Sequence, residues 1–320
     1  LCLLCDDYLP HSTRVGAKML HDLASELVRQ GHKVTVVTPR SIADKSQASS
    51  ETMDGVVIWR FQSGPIKDLG RVRRAVNESL IPFYAWQSIK RRIRSDTFDG
   101  IIYYSPSIFF GPVVAKLKRL CNCRSFLILR DFFPQWAVDA NLIKKGSLIE
   151  HYFRFFESLS YKNADMIGVM SLRNLEIFNQ RTGHRYNTSV LRNWASLDTH
   201  VVDDARKNIR KTLGLNDETI FFYGGNIGHA QDMENLMRLV KRMASLKKAH
   251  FLFVGQGDEV ELIKKLAIEW SLDNFSFLPS VTQDEYRDIL TQVDIGLFSL
   301  SAKHTTHNFP GKLLGYMVQS

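Results

Sequence analysis

No apolar run in this 320-residue sequence reaches the roughly 18 residues that a membrane-spanning helix needs, and no secretory signal opens the chain. Cysteine is scarce too. The four present are Cys2, Cys5, Cys121 and Cys123, so the second half has none. Cys2 and Cys5 fall on a presumed strand and point to opposite faces, so they cannot share a metal. Cys121 and Cys123 have no histidine at zinc spacing. All four read as reduced core thiols, which suits a cytosolic setting. No resident metal ion or other cofactor is expected. Asn77-Glu-Ser79 and Asn187-Thr-Ser189 match glycosylation sequons, but without a leader they read as chance matches. Also missing are a hydrolase-type carboxylate pair, a nucleic-acid recognition motif, a lysine-centred pyridoxal motif and any short repeat. Spanning proteins, disulfide scaffolds, zinc modules and nucleic-acid readers are set aside on these grounds.

What is present is a globular composition, 44% hydrophobic with 11% aromatic residues, and a length that suits two ordinary domains. The net charge of +9 is uneven. Residues 1–190 hold 27 Lys+Arg against 17 Asp+Glu, and residues 191–320 hold 15 against 16. The first half therefore carries the whole excess and is expected to meet an anionic partner.

Periodicity alternates strand and helix. Gly16, Met19, Leu20, Leu23, Ala24, Leu27 and Val28 form one helical stripe, Gly31 follows where a left-handed cap belongs, and Val34–Val37 reads as a buried strand. Further strands are predicted near 56–61, 99–104, 124–130, 165–170 and 187–191, with helices between them, as parallel βαβ units require. A second series has strands near 219–223, 249–254, 274–278 and 293–298. Its helical stripes are Met233, Leu236, Met237, Val240, Met243 and Leu262, Ile263, Leu266, Ala267, Trp270. The boundary is placed near Asn193-Trp194, giving domains over 1–192 and 193–320. Leu1 to Cys5 already reads as a strand, and a helix begun near Pro310 still runs at Ser320. The natural start is therefore expected upstream, and the second domain is expected to be incomplete.

Four segments could carry chemistry. Gly224-Gly225-Asn226-Ile227-Gly228 follows an apolar strand, and Gln231 is expected to open the next helix. Backbone N–H groups in such a turn can approach phosphate closely. The alternative is a tight turn that merely needs glycine. Gly255-Gln256-Gly257 repeats the arrangement one strand later. His307-Asn308-Phe309-Pro310-Gly311-Lys312 opens the last helix, with Asn308 able to cap it. Lys312 then sits at the positive end of a helix dipole, an unfavourable place unless a diphosphate shares it; the alternative is a solvated lysine. Arg130-Asp131 ends a buried strand at what would be the crevice edge, and a purely structural pair is an equal reading. Separately, Phe83, Tyr84 and Trp86 followed by Lys90, Arg91, Arg92 and Arg94 read as an amphipathic helix able to lie on an anionic membrane, against the alternative of a domain helix with aromatics in the core.

These segments resemble the retaining glycosyltransferases of the GT-B fold. Leu23–Leu27 through Gly31–Thr38 is similar to that family's first helix and second strand. Val254–Gly257 through Phe275–Pro279, then Val293-Asp294-Ile295, is similar to its nucleotide-binding half. Gly-Asn-Ile-Gly with Gln231-Asp232, Arg130-Asp131 with Pro134, and Phe-Pro-Gly-Lys resemble most the WbuB-type branch that transfers N-acetyl-fucosamine sugars in O-antigen assembly. The resemblance implies an α/β chain of two Rossmann-like, doubly wound parallel-sheet domains facing a cleft. The first would take a polyprenyl-diphosphate-linked glycan and the second a UDP-sugar, at the inner face of the cytoplasmic membrane. It implies that Lys312 and the 224–228 amides hold the diphosphate, that Gly255, Gly257 and Leu278 border the base and ribose, and that Arg130 and Asp131 face the sugar or acceptor. The sequence departs from the family at three places. Asn226 and Gln231 stand where Arg and Lys are frequent, an E-x7-E pair would fall on His307 and Gly315, and the paired glycines of the first loop become Val15-Gly16. The rival readings are a sugar-nucleotide 2-epimerase on the same fold and a non-catalytic membrane-binding homologue.

Overall fold

The structure is a computed structural model that describes residues 1–12, 14–40, 50–64, 71–196, 208–301 and 311–319, with residues 71–74 and 283 described by backbone alone. The chain divides into two compact units between Asn193 and Trp194.

The first unit runs β1 (Cys2–Leu4), α1 (Val15–Arg29), β2 (Thr35–Pro39), β3 (Ser50–Met53), β4 (Val56–Phe61), α2 (Arg71–Ile89) and β5 (Gly100–Ser105). It continues through α3 (Gly111–Cys121), β6 (Arg124–Leu129), α4 (Gln135–Asp139), α5 (Leu148–Asn163), β7 (Met166–Val169), α6 (Leu172–Thr182) and β8 (Thr188–Val190). Its sheet has the order β3-β4-β2-β1-β5-β6-β7-β8 and is parallel except for the β3–β4 hairpin. The hairpin turns at Asp54-Gly55, both with positive φ. The dipeptide is a known hairpin signal, and sequence reading passed over it. The predicted Gly31 cap is present with φ +91.

The second unit runs α7 (Ile209–Thr212), β9 (Thr219–Asn226), α8 (Met233–Arg242), β10 (Ala249–Gln256), α9 (Val260–Glu269), β11 (Phe275–Leu278), α10 (Gln283–Leu290), β12 (Ile295–Gly296) and α11 (Lys312–Val318). Its described sheet is parallel, in the order β11-β10-β9-β12. β10 shows why this unit is helix-covered on both sides. Phe251 and Phe253 pack into one cluster, Leu252 and Val254 into the other, and all four are buried.

Strand order fixes where a ligand crevice can lie. In the first sheet the chain steps from β1 to β2 on one side and later returns to β5 on the other. In the second it steps from β9 through β10 to β11 and then returns to β12. The helices on either side of each switch point diverge, which opens the sheet's carboxyl edge between β1 and β5 and between β9 and β12.

One expectation is corrected here. Helix α2 ends at Ile89, so Lys90, Arg91, Arg92 and Arg94 lie in the turn beyond it and do not share a helical face with Phe83 and Trp86. The buried stripe Ile81, Ala85 and Ile89 stops at that point. Trp86 packs against the core with Lys116 5.0 Å over its ring, and Tyr84 is likewise packed inward. Only Phe83 of the three aromatics is exposed.

Candidate functional site

Polar groups gather at both switch points. In the second unit, β9 runs into Gly224-Gly225-Asn226, next to which β10 ends at Gly255-Gln256. Gly225 has φ +109, and a Cβ there would sit 3.2 Å from Lys312 Cε. Glycine is therefore needed both for the backbone and for the approach of the lysine. Lys312 is the first residue of α11, as expected. Its Nζ donates to the Tyr223 hydroxyl, lies 3.6 Å from that ring's centroid and reaches the Asn226 carbonyl at 3.4 Å. Tyr223 in turn donates to the same carbonyl at 2.6 Å. Among the described residues no carboxylate pairs with Lys312. Burial pushes its ammonium down to about 7. A cation held in that state, at a helix start and beside an open backbone turn, is favourable only when an anion joins it.

Around this pair the turn is braced. Asn226 donates from its amide to Gln231 at 2.8 Å, so two of the expected residues meet each other. Gln231 belongs to a short 3-10 turn, and α8 proper begins two residues later, capped by Asp232. Gly224 N donates to the Tyr316 hydroxyl, which donates to the Leu297 carbonyl at 2.9 Å. Burial raises the Tyr316 phenol to about 12, so it stays a neutral donor. Gly228 leaves room for Asn226 and Asp258 side chains, which a Cβ would meet at 2.6 and 2.9 Å. Leu278 ends β11 on the same edge, and Ser280 donates to Gln256 at 3.2 Å.

The second glycine pair has an internal reason. A Cβ on Gly255 would lie 1.8 Å from the Gly225 carbonyl, and one on Gly257 2.0 Å from the Ile227 carbonyl. Strand packing alone explains both. The inference that a repeated glycine turn strengthens a binding edge therefore rests on Gly225 only. His307, Asn308 and Pro310 lie outside the described residues. Gly311 precedes α11 with a helical backbone.

In the first unit, Gly16 opens α1 with the Tyr104 hydroxyl 3.1 Å from where a Cβ would be. Tyr104 closes β5 across the switch point. Arg130 is buried, and its guanidinium donates to the Asn193 side chain and, at 3.4 Å, to the Leu191 carbonyl. These bonds tie the end of β6 to the segment after β8, and burial lowers the guanidinium's pKa. Asp131 is half-buried beside it. Sequence reading missed Asp6 and Asp7, which follow β1 at this edge. Asp7 accepts from Ser12 at 2.5 Å and faces Arg14 at 3.9 Å. Burial, with the charges of Asp7 and Glu78, pushes the Asp6 carboxyl up to about 6. The signal was available, since an Asp pair directly after a buried first strand marks the carboxyl edge.

Among the described residues no group of three or more His, Cys, Asp or Glu side chains could hold a metal ion.

Two doubly wound sheets, each with polar loops at its own switch point, define the GT-B fold of glycosyltransferases. A family model described as a glycosyl transferase 4-like domain matches residues 16–194, more than half the chain, and the chain belongs to this family of glycosyltransferases. Among relatives, Escherichia coli K12 WcaI, named as a colanic acid biosynthesis glycosyl transferase, is 24% identical over 98% of this chain and 79% of its own length. WbjE of Pseudomonas aeruginosa, named as a glycosyltransferase, is 26% identical over 67% of this chain and 53% of its own. Anabaena HepE, solved with UDP and glucose, superposes with a TM-score of 0.68 at 14% identity, covering 99% of this chain and 78% of HepE.

Proposed function

We propose that this glycosyltransferase takes a UDP-sugar in its second unit and passes the sugar, with retention, to a polyprenyl-diphosphate-linked glycan during surface polysaccharide assembly. The observation that carries the reading is Lys312, a buried ammonium with no carboxylate among the described residues, set against the Gly225 backbone at the sheet's switch point. A diphosphate supplies the missing anion. WcaI's name supports polysaccharide biosynthesis, and the UDP held by HepE supports the nucleotide. The sugar remains of the N-acetyl-fucosamine type by motif resemblance.

In this reading the bond from the anomeric carbon to the diphosphate oxygen breaks as the acceptor oxygen bonds the same carbon from the same face. The acceptor's proton leaves on the diphosphate. Lys312 and the amides after β9 stabilise the departing charge, which is where such a reaction gains most from fixed donors. Arg130 and Asp131, with the Gly16 turn, border the sugar and acceptor side. The test mixes the protein with a panel of UDP-sugars and a polyprenyl-diphosphate sugar, and reads product anomeric configuration by NMR. Transfer with retention supports the proposal. Sugar epimerised without an acceptor would favour the 2-epimerase, and failure to bind any nucleoside diphosphate would remove the reading altogether.

A further inference from the structure

The first unit exposes apolar side chains on two helices. On α5, Leu148 is 88% exposed, Ile149 60% and Phe155 59%, and Tyr152 is exposed on the same face. On α2, Val76, Leu80 and Phe83 are exposed at helical spacing. The two faces meet through one small core. Ala75 of α2 and Phe156 of α5 both pack on Ile108, Phe109 and Phe153. Phe156 continues outward through ring contacts with Tyr152 at 5.1 Å and Phe155 at 5.4 Å. A monomer exposes single apolar side chains without meaning, but seven in one region mark an interaction surface.

Charge decides the partner. The carboxylates of α5 are turned inward or neutralised: Glu150 accepts from Gly146 N and Arg154, and Glu157 from Arg154 and Tyr161. Lys144 and Lys145 stand exposed one turn ahead of Leu148, and α2 begins with the sequence Arg71-Val-Arg-Arg74. Apolar and aromatic side chains rimmed by lysine and arginine, with no free carboxylate among the described residues of α5's exposed face, match an anionic lipid surface. Topology adds a reason. Helices α2 and α5 both start from the carboxyl edge of the sheet, where the β1–β5 switch point opens.

We infer that α5 and the first half of α2 dock on anionic lipid, with Leu148, Ile149, Tyr152 and Phe155 entering the headgroup boundary and Lys144 and Lys145 meeting phosphate. This deepens the proposed function, on which it rests for a lipid-borne acceptor, and it replaces the Trp86 helix as the contact. The surface puts the sheet's open edge next to the bilayer.

The experiment co-sediments the protein with vesicles of phosphatidylcholine alone and of phosphatidylcholine with phosphatidylglycerol, at low and high salt. Wild type is expected on the anionic vesicles, with binding weakened but not abolished by salt. Replacing Leu148, Ile149, Tyr152 and Phe155 by Ser abolishes it, and Lys144→Ala and Lys145→Ala each weaken it about fivefold. Ala at Lys90, Arg91, Arg92 and Arg94 leaves the α5 contact in place. Circular dichroism and UDP binding check that each variant is folded; should the fourfold Ser variant not fold, Leu148→Asp alone, at a position already in water, serves in its place. Equal sedimentation of wild type and a folded α5 variant overturns the proposal, as does wild type staying off both vesicles. Slow amide exchange across 148–155 without lipid overturns it as well, because another segment or a second copy already covers the face. UDP binding is read separately, so loss of lipid docking with UDP binding intact leaves the proposed transferase standing.

Discussion

Lys312 was legible as a site residue because a lysine at a helix start is a local conflict, and a conflict in sequence asks for a ligand. The structure adds the second half of the argument, burial against Tyr223. Lys312→Ala is expected to weaken UDP binding about ten- to a hundredfold, the range of a charge-assisted contact, as measured by calorimetry. The pH dependence follows from the same lysine. Its free-state value near 7 rises when a diphosphate binds, so affinity should fall as pH climbs from 7 to 9, by up to about tenfold per unit, and Lys312→Met should flatten that slope. Stability moves the other way. The unfolded lysine holds its proton to about pH 10.4, so the folded state gains relative stability from pH 7 upward, and Lys312→Met removes this contribution too. Gly225→Val combines a forbidden φ with a clash on Lys312, and its UDP affinity should fall below that of Lys312→Ala. Normal UDP binding by Gly225→Val would make the turn a purely structural one.

At the scale of elements, periodicity located most strands and helices within a residue or two, because each is amphipathic or buried over its whole length. The exceptions have local causes. The β3–β4 hairpin was hidden by polar residues on β3, half of whose side chains face water. The end of α2 depends on where its buried stripe stops, and a run of basic residues continues a helical pattern as easily as it ends one. Glycine misled for a related reason. The sequence shows that Gly255 lacks a side chain, but not that the Gly225 carbonyl occupies the space. Gly255→Ala is accordingly expected to destabilise the second unit by about 3 kcal/mol through strand separation, read as a lower midpoint in denaturant. An unchanged midpoint would return Gly255 to the list of ligand-facing glycines.

Across the whole molecule, the cores of the two units are separate, one built around Leu4, Tyr103 and Leu127 and the other around Phe251 and Phe253. UDP should therefore slow amide exchange in β9, in the turn after it and in α11, and leave β1 to β8 unchanged. Protection spread evenly over both units would mean that the nucleotide is not held by the second unit alone. Transfer activity is expected to persist in a strong chelator, since no acidic or His/Cys cluster of ligand spacing is found among the described residues. Activity lost to the chelator and restored by one divalent ion would overturn that expectation.

The order of strands and helices, the break between two α/β units, the basic excess of the first and the importance of Lys312 were all determined by sequence. Each depends on residues near one another along the chain, where periodicity and charge can be read directly. Tertiary structure alone decided which polar groups share an edge. Asp6, Tyr104 and Arg130 come together only because β1, β5 and β6 lie side by side, and Tyr223 meets Lys312 only because β9 lies beside β12. It also decided which aromatics face water. Trp86 and Phe155 are alike in local sequence, both aromatic on a helix, yet neighbouring elements cover the first and leave the second open. Contacts between residues distant in sequence are set by how strands order and helices pack, and no local pattern encodes them.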